Sequence, residues 1–185
     1  HVPPLHQCRR LLLKSMLPPA LVLEKRNWGS ERPRLLGENN LLIVGPGVLG
    51  RLVAKTWQEE HPGCQIFGQT LTADHHDELI QMGITPFPKG PKTVHQFPYI
   101  IFCAPPSRSP DYPGDVRLAA SSWSGEGSFL FTSSSATYDC NDNGTCDEDS
   151  RIVPIGRSAR TDVLLKAEKT GVGVWWLCAP ISRTL

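Results

Sequence analysis

The sequence predicts a doubly wound α/β fold, a parallel sheet with helices on both faces. Three observations carry that reading. Short apolar runs alternate with stretches of helical spacing from Leu41 onward. The first run, Leu41-Leu42-Ile43-Val44, is apolar throughout, as a strand buried on both faces requires. Glycine and proline punctuate the changes of period.

Taken in order, Leu41–Val44 is the first strand, closed at once by Gly45-Pro46-Gly47. Val48, Leu49, Leu52, Val53 and Trp57 then fall at helical spacing through Gln58, and His61-Pro62-Gly63 stops the helix. Gln65–Gly68 is a second strand. Asp74 is placed to cap a helix carrying Leu79, Ile80 and Met82, with Gly83 at its end. Ile84–Phe87 is a short third strand, and Tyr99–Ala104 a strong one ahead of Pro105-Pro106. Asp115 to Trp123 reads as a helix and Ser128–Thr132 as a strand. Ser158 to Lys169 reads as a helix burying Val163, Leu164, Leu165 and Ala167. A last strand carries Trp175-Trp176, expected to be buried. No internal repeat is present.

Composition bounds the function. The 185 residues suit one domain with a tail, and 39% apolar against 20% charged residues suffices for a buried core. No apolar run approaches the roughly 18–20 residues of a bilayer span. A net charge of +1 argues against nucleic-acid binding through bulk charge. The basic residues are unevenly placed: within residues 1–34, Arg9, Arg10, Lys14, Lys25, Arg26, Arg32 and Arg34 face only Glu24 and Glu31. Residues 1–38 are therefore expected to be a basic leader or tail, with chloroplast import one reading and a cytoplasmic chain the other. Residues 39–185 are expected to form the domain. Cys140 and Cys146 lack zinc spacing, so no metal site is expected, and free thiols are the main reading with a Cys140–Cys146 loop disulfide the alternative.

Gly45-Pro46-Gly47-Val48-Leu49-Gly50 fits G-x-G-x-x-G between a strand and a helix, the context that gives the motif meaning. Gly45 allows the tight turn, Gly47 a close approach of backbone to pyrophosphate, and Gly50 close helix–strand packing. The amides of Val48 and Leu49, at the helix start, are placed to donate to phosphate. The expected architecture is thus Rossmann-like, with NAD or NADP as cofactor. The acid that would hold an adenosine ribose is absent after the second strand, where Gln69 and Thr70 stand instead. Either can hydrogen-bond a ribose, and the choice between the two cofactors stays open. Ala104 and Pro105, ending the strong strand, complete the expected cofactor contacts.

Phe131-Thr132-Ser133-Ser134-Ser135-Ala136-Thr137-Tyr138 follows the next strand. With the glycine loop and Asp147-Glu148 ahead of Pro154, the chain resembles the short-chain dehydrogenase/reductase superfamily, in its extended, epimerase/dehydratase-like branch. The resemblance covers 41 to about 169. It implies that Ser135, with Ser134 as second choice, bonds the reacting carbonyl or hydroxyl, the substrate lying near Ser135, Pro105 and Arg160. That substrate is an unknown small molecule. The superfamily's acid–base Tyr and its partner Lys are missing: one alignment puts Arg160 and Leu164 there, another puts Asp162 at the Tyr position. Arg stays protonated and is a poor proton donor, and Leu shifts no pKa. The pattern resembles the atypical extended subgroup lacking this Tyr, with Tyr138 the candidate substitute. The branch continues into a substrate domain, so a truncated or spliced product with that domain largely missing is expected. A non-catalytic dinucleotide-sensing or partner-binding module is the alternative.

Other patterns carry less. Asp139–Gly144 opens like a calcium loop, but its twelfth position is Ser150 rather than Glu. Asn143-Gly144-Thr145 reads as a turn. His75 and His76 are expected to face solvent, and His61 and His95 to lie in loops.

Overall fold

The computed structural model describes residues 34–35, 37–90, 95–139, 150–170 and 174–179. Its strands are β1 (Arg34–Leu35), β2 (Leu41–Val44), β3 (Ile66–Thr70), β4 (Ile84–Pro88), β5 (His95–Phe102), β6 (Trp123–Ser134) and β7 (Val174–Ala179). Its helices are α1 (Val48–Glu60), α2 (His76–Gln81), α3 (Tyr112–Ala120) and α4 (Ala159–Glu168). Single 3₁₀ turns lie at Pro106–Arg108 and Ser135–Thr137.

The strands are parallel and run β4-β3-β2-β5-β6-β7, while β1 pairs with the start of β5, off this path. From β2 the chain winds outward through β3 and β4, then returns to place β5 on the other side of β2. That reversal is the doubly wound arrangement, and it opens a crevice above the strand ends between β2 and β5. One row of partners crosses the sheet there: Val44 lies opposite both Gln69 and Phe102, and Phe102 opposite Phe131.

Alternation along the strands splits the core in two. Leu42, Val44, Ile100, Phe102, Phe129 and Phe131 face α3 and α4, meeting Tyr112, Val116, Leu164 and Ala167. Leu41, Ile43, Ile66, Ile84 and Ile101 face α1 and α2, meeting Ala54, Trp57 and Leu79. All four residues of β2 are buried, as its uninterrupted apolar run requires.

Several boundaries differ from the sequence reading. Val48 and Leu52 are 90% and 57% exposed, and α1 buries Gly50 and Ala54 beside the expected Trp57. The reason is proximity: a Cβ on Gly50 would stand 2.8 Å from Ile43 Cγ2, so small residues take the contact face. Asp74 is not the cap of α2. It accepts the Thr72 hydroxyl at 2.9 Å, and His75 occupies the cap position. Ile80 is exposed, and Leu79 alone anchors α2. Helix α3 begins three residues early because the Asp111 carboxylate accepts the Gly114 amide at 3.0 Å and Pro113 fits the first turn. Trp123 belongs to β6, which is lengthened by Gly125 and Gly127 at φ 86° and 67°. In α4, Thr161 is buried and Val163 half-buried. His95 opens β5, and His61 ends α1 with its ring 4.3 Å from Trp57.

The expected leader through residue 33, the Cys140–Cys146 pair, the calcium-like loop beyond Asp139, the Asn143 sequon, the Asp147-Glu148 pair and the side chains of Trp175-Trp176 lie outside the described residues. The short β1 falls within the stretch expected to be a leader.

Phe129, fully buried between α3 and α4, tests this partition. Phe129→Ala should cost about 3–5 kcal/mol in urea unfolding, whereas Val48→Ala should change stability by no more than roughly 0.5 kcal/mol.

Candidate functional site

The glycine loop stands at the β2 end of the crevice. Gly45 has φ 78°, and a Cβ there would lie 2.6 Å from Ala104 Cα, so glycine is required both by its backbone angle and by its neighbour. The loop is fixed by backbone bonds: the Gly45 amide donates to the Gln69 carbonyl at 2.9 Å and the Gly47 amide to the Gly45 carbonyl at 2.7 Å. On the other side, the Cys103 amide donates to the Val44 carbonyl at 2.8 Å. Pro46 is buried above Gly68, where a Cβ would stand 3.2 Å from Pro46 Cγ.

Gly47 is different. It caps α1, it is exposed, and a Cβ there would meet nothing within 4 Å. No side chain caps α1 and no acid lies in its first turn. The amides of Val48 and Leu49 have no carbonyl one turn back to receive them, and the helix dipole makes this end favourable to an anion. A bare glycine face beside uncapped amides fits a pyrophosphate, which needs close backbone approach and hydrogen-bond donors.

At the end of β3, the Gln69 backbone is committed to Gly45 while its side chain is half-exposed. The Thr70 hydroxyl lies 2.7 Å from His76 Nε2 and 3.4 Å from the Phe87 carbonyl. His76 is therefore half-buried and engaged, contrary to its expected solvent exposure; His75 is exposed and lies 3.4 Å from Glu78. Beyond β5, the Ala104 carbonyl accepts the Tyr112 hydroxyl at 2.7 Å, and Pro105 is exposed. Burial pushes the Cys103 thiol up to about 12, against a smaller opposing effect of the Thr132 hydrogen bond, so it stays protonated and unreactive at neutral pH.

The serine strand delivers its hydroxyls to different tasks. Thr132 donates to the Phe102 carbonyl at 3.0 Å. Ser134 accepts the Ala136 amide at 3.2 Å, capping the 3₁₀ turn that Ser135 opens. Tyr138 follows that turn and pairs antiparallel with Ile152. The expected site residues thus come to one edge of the sheet, with Ser134 already used structurally. In α4, Arg160 is exposed, Leu164 is buried, and Asp162 accepts the Gly156 amide at 2.9 and 3.1 Å. Arg160 and Leu164 offer no proton-transfer group near neutral pH, and the Asp162 carboxylate is engaged by the Gly156 amide.

One pairing the sequence reading missed lies beside it. Ser133 donates to Glu168 at 2.5 Å, at a groove of about 550 Å³ walled by Ile152, Val153, Ile155 and Leu165. Burial pushes the Glu168 carboxyl up, partly offset by the Ser133 hydrogen bond. Parity could have found it: Ser133 shares the face of Phe129 and Phe131, and Glu168 lies one turn beyond Leu164 on the same helix. Among the described residues no group of three His, Cys, Asp or Glu is placed to hold a metal, and no helix is long and apolar enough to cross a membrane.

No protein-family model and no curated protein sequence matches the chain. Solved structures do. A functionally unknown conserved protein from Silicibacter pomeroyi superposes with a TM-score of 0.55 at 19% identity, over 71% of this chain and 46% of its own. The Bordetella bronchiseptica enzyme WbmG, in complex with NAD and UDP, gives 0.51 at 18%, over 75% and 52%. WbmH from the same organism, in complex with NAD+, gives 0.52 at 14%, over 74% and 54%. The fold is Rossmann-like. The chain spans about half the length of these structures, and at such identities the likeness establishes architecture alone.

The raised carboxyl of Glu168 sets a pH dependence. A carboxyl whose folded pKa exceeds its unfolded value contributes stability that is complete below the unfolded pKa and lost as pH rises through the folded one. Urea unfolding of the native chain and of Glu168→Gln, from about pH 4 to 7, should show the native chain losing stability relative to the variant as pH increases. A constant difference would contradict the burial of this group.

Proposed function

We propose that the chain binds a nicotinamide dinucleotide, NAD or NADP, as part of an epimerase/dehydratase-type oxidoreductase. The observation that carries this reading is the exposed, Cβ-free face of Gly47 beside the uncapped start of α1, held in place by Gly45 against Ala104. The pyrophosphate would lie over Gly45–Gly50, receiving the Val48 and Leu49 amides. Gln69 would reach the adenosine ribose. Ala104 and Pro105 would border the nicotinamide half, with Ser135 nearest the reacting group of a small-molecule substrate. When bound, the nicotinamide supplies hydride chemistry. That WbmG and WbmH were solved with NAD supports the cofactor class.

A specific observation favours a second reading. Helix α4 has no Tyr; it exposes Arg160 and buries Leu164, and Tyr138 sits in a strand bridge rather than on that helix. A module that binds the dinucleotide and senses it, or presents it to a partner, without turning over a substrate, needs no proton donor there. Binding without turnover of any carbonyl or sugar-nucleotide substrate separates the two.

Titration with NADH and NADPH, followed by nucleotide fluorescence and by thermal melting, tests the common element. Saturable binding of at least one nucleotide is expected. Gly47→Arg should weaken it by about 100-fold or more while leaving the melting temperature near that of the native chain, because the space around Gly47 is open. A cooperatively melting chain that binds neither nucleotide would overturn both readings.

A further inference from the structure

The end of β3 holds more charge than its own sequence suggests. Helix α2 brings its first turn against this strand end through the His76–Thr70 contact of 2.7 Å. The same turn carries Asp77 and Glu78, and the exposed Asp74 precedes it by two residues. Among the described residues two cations approach, and both are committed. Arg51, one turn into α1 from the glycine loop, holds Glu78 Oε2 at 2.8 Å. Lys89, just past β4, holds Asp115 Oδ2 at 2.6 Å, an oxygen that also receives the Ser109 hydroxyl at 2.6 Å. Arg51 Nε is buried without a hydrogen bond, so Glu78 is what fixes the guanidinium. The Arg51 hydrogen bond, with a lesser one from His75, holds the Glu78 carboxyl below the ordinary carboxylate range, so the pair is ionised near neutral pH.

An adenosine ribose with a free 2′-hydroxyl can sit beside such an arrangement and use the Gln69 amide. A 2′-phosphate would bring about two further negative charges toward Asp74, Asp77 and Glu78, where the cations placed at this strand end among the described residues, Arg51 and Lys89, are already paired. We propose that the chain selects NAD(H) over NADP(H), and that Glu78 is the specificity-determining residue because it ties down Arg51, the α1 cation nearer the glycine loop. The arrangement replaces the acid missing from the strand end with one supplied by the next helix, and it discriminates by repulsion as much as by attraction. This inference rests on the dinucleotide reading given above.

The test uses 5′-AMP and 2′,5′-ADP, which differ only in the 2′-phosphate, titrated by calorimetry into the full chain. 5′-AMP should bind tighter by about tenfold or more. Glu78→Gln should release Arg51 and raise 2′,5′-ADP affinity several-fold relative to 5′-AMP, and adding Arg51→Ala to that variant should remove the gain. Thermal melts verify that each variant is folded; if Glu78→Gln does not fold, Glu78→Ala is the substitute. Equal or tighter binding of 2′,5′-ADP by the native chain would overturn the inference while leaving the dinucleotide site standing. So would an unchanged ratio in the folded Glu78 variant. Binding of none of 5′-AMP, 2′,5′-ADP, NADH and NADPH would overturn the site itself, and the inference with it.

Discussion

The contact between Gly45 and Ala104 is the constraint on which the upper edge of the sheet depends. Two parallel strands of opposite winding leave the sheet side by side at β2 and β5, and their exits must pass without collision. Gly45 solves this with a positive φ and no side chain, allowing Ala104 to pass at a separation that no Cβ would permit. The bonds on either side, Gly45 to Gln69 and Cys103 to Val44, then align the ends of β3, β2 and β5. Gly50 and Gly68 repeat the principle nearby: the first lets α1 settle on Ile43, the second lets Pro46 settle on β3. The crevice is therefore shaped by missing side chains rather than by large ones, and its walls are backbone.

How far this was legible in the sequence depends on the kind of signal. The central strands were readable because a strand buried on both faces must be apolar throughout, and Leu41–Val44 and Ile100–Phe102 satisfy this without interruption. The glycine loop was readable because Gly45 and Gly50 each answer a separate geometric demand. Helix faces were less so. The apolar Val48 and Leu52 suggested the inner face of α1, yet intimate helix–sheet packing favoured Gly50 and Ala54. Boundaries set by capping were recoverable in principle: Asp111 followed by Pro113 marks the start of α3, and a periodicity search passes over it.

The chemistry was legible only where it is local. Gly47 and the amides after it are one contiguous stretch, whereas Ser133 with Glu168 and Arg51 with Glu78 join residues far apart in the chain. Such pairs appear once the strand order is known, because parity then assigns each side chain to a face. The absence of a Tyr on α4 was visible from the start. What the fold adds is that the positions aligned with the missing pair are not poised to replace it, since Arg160 points to solvent and Leu164 is committed to the core.

Pro98, in the middle of β5, gives the sheet a mechanical property of its own. It has no amide to offer β6, and the pairing of the two strands shifts register between Phe97 and Tyr99. Its carbonyl instead receives the Trp123 indole at 3.1 Å, and Gly127 passes so near it that any Cβ would collide. The strand is thereby divided into two segments with separate registers. Below the break it meets β1 and the start of β6; above it, Tyr99 to Phe102 lock onto β2 and the upper part of β6. An insertion or slip in the lower segment is absorbed at the break instead of being transmitted along the ladder. The lower segment of β5 is thus registered separately from the upper one, which is held at the spacing between Gly45 and Ala104.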